Sequence, residues 1–307
     1  MMDVTTECEQ IRLGDISRRR FLAATTGAAA IQLAPSAHFA TGAGAALDEE
    51  IVDTHVYLGR WPFRRTPGNS AAETIAALRR GNVVQAWAGT FEGLLHRDVS
   101  GANARLAEAC RRDGGEMLVP FGSVNPTLPD WEEDIRRCHE VFKMPGVRLH
   151  PNYHGYTLAD ERFAALVGVA AKRKLMVQLV AQLDDEAHAY LRLPAAPVDL
   201  SPLAAVIQHF PGLRLTLYSG SKRFDALQVN ELAAPKNVYF DASSIADAGS
   251  APSDRLVMGS CWPLGTVELA VSRALDSADS ESSRRAVGYE TARRLLRNAT
   301  GAGEAVK

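Results

Sequence analysis

Two rhythms of apolar and polar residues alternate along the chain. Short runs at 51–58 (IVDTHVYL), 83–89 (VVQAWAG), 118–124 (LVPFGSV), 146–150 (GVRLH), 175–181 (LMVQLVA), 213–218 (LRLTLY), 237–242 (NVYFDA) and 255–261 (RLVMGSC) predict strands. Between them, apolar positions recur at helical spacing over 71–80, 103–112, 130–142, 160–173, 201–209 and 264–276, and more weakly over 223–234. Eight strands alternating with helices predict a parallel sheet, and eight is the number that closes a (β/α)8 barrel. Acids at Glu132, Glu133 and Asp134, just after Pro129, suit the positive end of a helix dipole. Residues 298–307 read as a frayed tail.

The first 45 residues follow neither rhythm. Arg18-Arg19-Arg20-Phe21-Leu22 precedes a weakly apolar, alanine-rich run, and Ala43-Gly44-Ala45 offers small residues for cleavage. This predicts a twin-arginine-type export signal over 1–45, a mature domain over 46–307, and a periplasmic location. The apolar run is too short and too interrupted by Thr, Gln and Pro to span a membrane. Composition narrows the field: 46% hydrophobic and 23% charged residues suit a globular core, and a net charge of -2 argues against nucleic acid as a partner. Cys8, Cys110, Cys138 and Cys261 have neither disulfide-framework nor zinc-knuckle spacing.

Polar chemistry concentrates where the fourth predicted strand ends. Gly146-Val147-Arg148-Leu149-His150 is stopped by Pro151, and Asn152, Tyr153, His154 and Tyr156 crowd the loop that follows. The C-terminal ends of strands are where α/β proteins usually place their sites. His150 and His154 are candidate general acids or bases, because imidazole titrates near neutral pH. Cys261 is either a nucleophile or a small buried filler. The stretches Arg60–Arg65 and Thr90–Asp98 read as long loops after strands one and two, suited to a substrate lid or to a homo-oligomer interface.

Asp53-Thr54-His55-Val56-Tyr57 and Gly259-Ser260-Cys261-Trp262-Pro263 resemble the first and last strands of the amidohydrolase superfamily, in its amidohydrolase-related branch of hydrolases and decarboxylases. Gly146–Pro151, Phe210–Leu215 and Glu290–Leu296 resemble further motifs of that branch, so the resemblance spans roughly 51–297. It implies a (β/α)8 barrel with a metal at its mouth. One expected ligand is present, His55; the others fall on Tyr57, Val180, Ser219 and Cys261. His55, His150 and Cys261 could form a substitute site for one divalent ion such as zinc, the alternative being no metal at all. The resemblance also implies a small-molecule substrate, with Arg148 or Arg60 holding its carboxylate. Tyr57, Tyr156 and Ser219 would line the pocket with Asp53, Gln178 and Asp241. The expectation is a hydrolase or decarboxylase of a small carboxylate, ester or lactone with most metal ligands replaced. The alternative is an inactive barrel serving as an exported binding or scaffold protein.

Overall fold

The computed structural model describes residues 49–183, 196–220 and 223–300. The segment 1–45, with the expected export signal, lies outside the described residues. The chain begins with β1 (Ile51–Leu58), α1 (Ala71–Arg80) and β2 (Val83–Thr90). Two helices follow, α2 (Phe91–Leu95) and α3 (Val99–Ala109), the latter running into a wider turn at Cys110–Gly114. Then come β3 (Leu118–Pro120), β4 (Gly122–Ser123), α4 (Trp131–Glu140), β5 (Gly146–Leu149), α5 (Pro151–His154) and α6 (Glu161–Lys172). The order continues through β6 (Met176–Gln182), α7 (Leu203–Gln208), β7 (Arg214–Ser219), α8 (Ala226–Ala233), β8 (Val238–Asp241) and β9 (Leu256–Val257). It ends with α9 (Val267–Asp276), α10 (Glu281–Arg285) and α11 (Thr291–Thr300).

All strand pairs are parallel, in the orders β1-β2-β3 and β4-β5-β6-β7-β8-β9. β3 and β4 are one predicted strand broken at Phe121, whose N–H still donates to the Ala88 carbonyl at 2.8 Å. At the other edge, Thr54 N–H donates to Met258 O and Tyr57 N–H to Trp262 O, each at 2.8 Å, joining β1 to the stretch after β9. The architecture is a (β/α)8 barrel of eight staves. Helix starts are locally encoded: Ser70 caps α1, Asp98 caps α3, Asp160 caps α6, and Asp225 forms a reciprocal box with Gln228 on α8.

Layers of side chains fill the barrel interior. At the bottom Val52, Trp87, Phe121, Met176 and Val257 pack against Ala292 and Leu295 of α11. The helix therefore plugs the barrel, and Asn298 to Thr300 belong to it instead of to a frayed tail. At the top, Tyr57, Trp61, Phe91, Leu94, Val180 and Tyr218 form an aromatic layer. The stretch 90–98, expected to be a loop, supplies that layer through α2, with the ring of Phe91 stacked on Tyr57 at 4.7 Å between centroids. Gly146 opens β5 because no side chain fits there: a Cβ would stand 2.5 Å from the Met176 carbonyl oxygen and 2.7 Å from the Phe121 ring. Gly146→Ala is expected to cost about 1–3 kcal/mol of stability through overpacking, read as a lower urea midpoint with an unchanged slope.

Candidate active site

The middle layer of the barrel is polar and is organised by Arg148, which is fully buried. Its Nη1 donates to Val56 O at 2.7 Å, its Nη2 to Trp87 O at 3.0 Å and Thr54 O at 3.2 Å, and its Nε to Gln178 Oε1 at 2.8 Å. The guanidinium lies 4.7 Å from the centre of the Tyr57 ring, a cation–π contact. Gln178 passes the network on, donating to Thr54 O at 2.9 Å and to the Tyr218 hydroxyl at 3.0 Å. Space for Arg148 comes from Gly89, where a Cβ would sit 2.8 Å from Nη1. Sequence reasoning made Arg148 a clamp for a substrate carboxylate. The structure corrects this: its donors are directed to carbonyls of the neighbouring strands.

Above this layer, the Tyr57 hydroxyl lies 2.7 Å from His150 Nε2 and 3.3 Å from His55 Nε2. A hydroxyl has one proton, so Tyr57 donates to one imidazole and accepts from the other. A register shift in β1 between Asp53 and Val56 accompanies this placement of His55 and Tyr57. Burial holds both histidines well below the ordinary imidazole range, with the charge of Arg148 acting in the same direction. Burial likewise raises the Tyr57 phenol. The three groups form a neutral chain near pH 7. His150 Nδ1 is buried with no hydrogen-bond partner among the described residues.

The opposite wall comes from β8 and the turn after β9. Asp241 accepts from Ser243 Oγ at 2.5 Å, Ser244 Oγ at 2.9 Å and Gly259 N–H at 3.1 Å. Asp53 Oδ1 accepts from Ser260 N–H at 3.0 Å and His55 N–H at 3.1 Å, while Oδ2 is buried with no partner among the described residues. Burial outweighs these hydrogen bonds and raises both carboxyls to about 6. Gly259 allows the two walls to approach, since a Cβ there would be 2.8 Å from that of His55. Cys261 follows at a φ of 54°.

Between the walls lies a cavity of about 130 Å³ lined by His55, Ser219, Asp241, Ser260, Cys261 and Arg273, among others. A second cavity, about 370 Å³, shares Ser219 and is lined by Gln182, Val198, Leu200, Arg223, Phe224 and Leu232 among others. The expected site residues thus divide. His55, Ser219, Asp241 and Cys261 meet at the inner cavity, and Tyr57 and His150 are linked to it through His55. His154 Nε2 donates to the Gly93 carbonyl at the edge of α2, at 3.1 Å. Tyr156 is not in the pocket: it packs in the core, with its ring 6.3 Å from Phe163. Arg60 lines a separate outer concavity. Arg273, on the exposed side of α9, went unnoticed because helical spacing does not show which polar residue overhangs a barrel mouth.

With the barrel and its site in place, comparison adds the lineage. The family model described as Amidohydrolase matches residues 52–297. The chain belongs to the amidohydrolase family. Three solved structures show how the amidohydrolase fold is shared. The 2,6-dihydroxybenzoate decarboxylase from Rhizobium is 13% identical, with a TM-score of 0.59 over 81% of this chain and 99% of that one. The 5-carboxyvanillate decarboxylase of Sphingomonas paucimobilis is 12% identical, with a TM-score of 0.60 over 81% and 99%. That of Novosphingobium aromaticivorans, solved with bound manganese, is 13% identical with a TM-score of 0.61 over 83% and 99%. No curated protein matches the chain.

Among the described residues, no group of three or more His, Cys, Asp or Glu side chains is arranged to hold a metal. The set His55, His150 and Cys261 is corrected accordingly, because the Tyr57 hydroxyl stands between the two imidazoles. Val180 offers no donor atom and belongs to the aromatic layer.

Two measurements test this account of the amidohydrolase site. Arg148→Leu is expected to lower stability by about 3–5 kcal/mol, since it strips donors from several buried acceptors at once; a loss below about 1 kcal/mol in urea unfolding would contradict the role. For Asp53 the sign follows from a folded pKa raised from 3.8 to about 6. The stability due to its protonated form is full below pH 3.8 and is lost as pH rises through about 6. Asp53→Asn should therefore gain on the wild type between these values, and parallel stability curves would exclude the effect.

Proposed function

We propose that this protein is an amidohydrolase-family hydrolase or decarboxylase of a small carboxylate, ester or lactone, in which side-chain acid–base chemistry stands where most inherited metal donors have been replaced. The observation carrying this reading is the His55–Tyr57–His150 chain ending at the inner cavity. Tyr57 occupies His55 Nε2 and fixes the ring, leaving Nδ1 as the nitrogen able to exchange a proton with a ligand. Because burial keeps His55 neutral, it is in the form a general base requires. Arg273 is the cation on the same cavity and suits a substrate carboxylate. Cys261, on the neighbouring wall, is the candidate nucleophile. Export to the periplasm is proposed on the twin-arginine pattern at Arg18 and Arg19 alone.

A second reading is a barrel that binds its ligand without turnover. It is favoured by Asp241, whose carboxylate is fully engaged by Ser243, Ser244 and Gly259. One experiment addresses both: metal content of the purified protein, with turnover of an ester, lactone and aromatic-acid panel, for wild type and His55→Ala. The expected result is well below one metal per chain and turnover reduced about 100-fold or more by the substitution. Stoichiometric zinc, manganese or iron that disappears in His55→Ala would overturn the proposed metal replacement. Saturable ligand binding with no turnover in either protein would favour the second reading.

A further inference from the structure

The loop between β1 and α1 carries a cluster of charge that the inner cavity does not use. Arg60, Arg64, Arg65, Thr66 and Asn69 line a concavity of about 740 Å³, and no acidic side chain is among its lining residues. Several exposed arginines elsewhere lie against carboxylates: Arg105 on Glu92 and Arg136 on Glu133, each at 2.6 Å, and Arg111 on Glu108 at 2.7 Å. Arg60 and Arg65 are exposed and have no such partner among the described residues. Glu73, the nearest acid along the chain, is already engaged by the Asn69 N–H at 2.8 Å.

The loop is anchored. The buried Trp61 ring packs 4.8 Å from Phe91 and 5.0 Å from Phe63. Arg64 Nη2 donates to Leu264 O at 3.1 Å, tying the loop to a residue of the inner cavity wall. Gly68 passes under Trp262 at a φ of +75°, where a Cβ would be 2.6 Å from Nε1. Thr66 is 6% exposed, and its hydroxyl has no hydrogen-bond partner among the described residues. Exposed guanidinium forks on an anchored loop, beside an unsatisfied hydroxyl, are complementary to a compact oxyanion.

We propose that this concavity is an oxyanion-binding site, separate from the inner cavity, that takes a phosphate-like group through Arg60, Arg65 and the Thr66 hydroxyl. The site does not depend on the function proposed above. Free phosphate and the phosphate group of a larger ligand share this chemistry, a tetrahedral oxyanion with about two charges.

The test is calorimetric titration of the full chain with inorganic phosphate and with sulfate at about 20 mM ionic strength, with chloride as the control. Saturable phosphate binding is expected, weakened roughly tenfold or more by Arg60→Ala with Arg65→Ala, severalfold by Thr66→Val, and not by Arg105→Ala. Lysine at positions 60 and 65 keeps the charge without the fork and should restore part of the affinity. Circular dichroism confirms that the variants fold. No saturable heat with phosphate or sulfate, equal heat with chloride, or binding indifferent to the loss of both arginines would each overturn the site.

Discussion

A guanidinium enclosed in the middle of a barrel sets the terms for everything above and below it. Removing that charge from water costs several kcal/mol, and among the described residues its hydrogen bonds go to no carboxylate. The offset comes from backbone carbonyls of β1 and β2, from Gln178 on β6 and from the face of Tyr57. Those carbonyls belong to strands that must stay in register for the donors to reach them. Arg148 therefore ties β5 to β1, β2 and β6 across the interior, a constraint that apolar packing alone would not impose. The same charge disfavours protonation of His55 and His150 directly above. One residue thus couples the architecture of the barrel to the protonation state of its mouth.

That coupling gives the altered mouth a physical logic. The Tyr57 phenol stands between the two histidines, and the positive charge of Arg148 lies one layer deeper. The Tyr57 hydroxyl links the two imidazoles, so the tautomer of one fixes that of the other. Asp53 and Asp241, raised to about 6 by burial, can hold protons near neutrality on the opposite wall.

Much of the barrel was legible because parallel strands are buried on both faces and read as short apolar runs. The same property hid the site. When both faces are buried, the pattern does not reveal that Val147 and Leu149 face the helices while Arg148 faces the barrel interior, so Arg148 was read as a ligand-binding cation. Short helices were illegible for a different reason. α2 and α5, with 5 and 4 residues, are too short to show a helical period, and Thr90 capping α2 and Pro151 opening α5 were the only local signals. Tyr156 was misplaced because its burial against Phe163 depends on the turn at Gly155, which has a φ of 73°. Arg273 needed the three-dimensional mouth before it could be noticed at all.

Cavity size then limits what the proposed enzyme can accept. The inner cavity, about 130 Å³, is smaller than the roughly 150 Å³ that holds a single benzene ring in an engineered protein core. Ser219 also borders the larger cavity, whose walls at Val198, Leu200, Phe224 and Leu232 are apolar. A substrate with its reacting carbonyl or carboxylate beside His55 would extend past Ser219 and place its body against those side chains. Ser219, at a position where the family resemblance expects a histidine, borders both cavities with a small side chain, which suits a substrate reaching from one to the other.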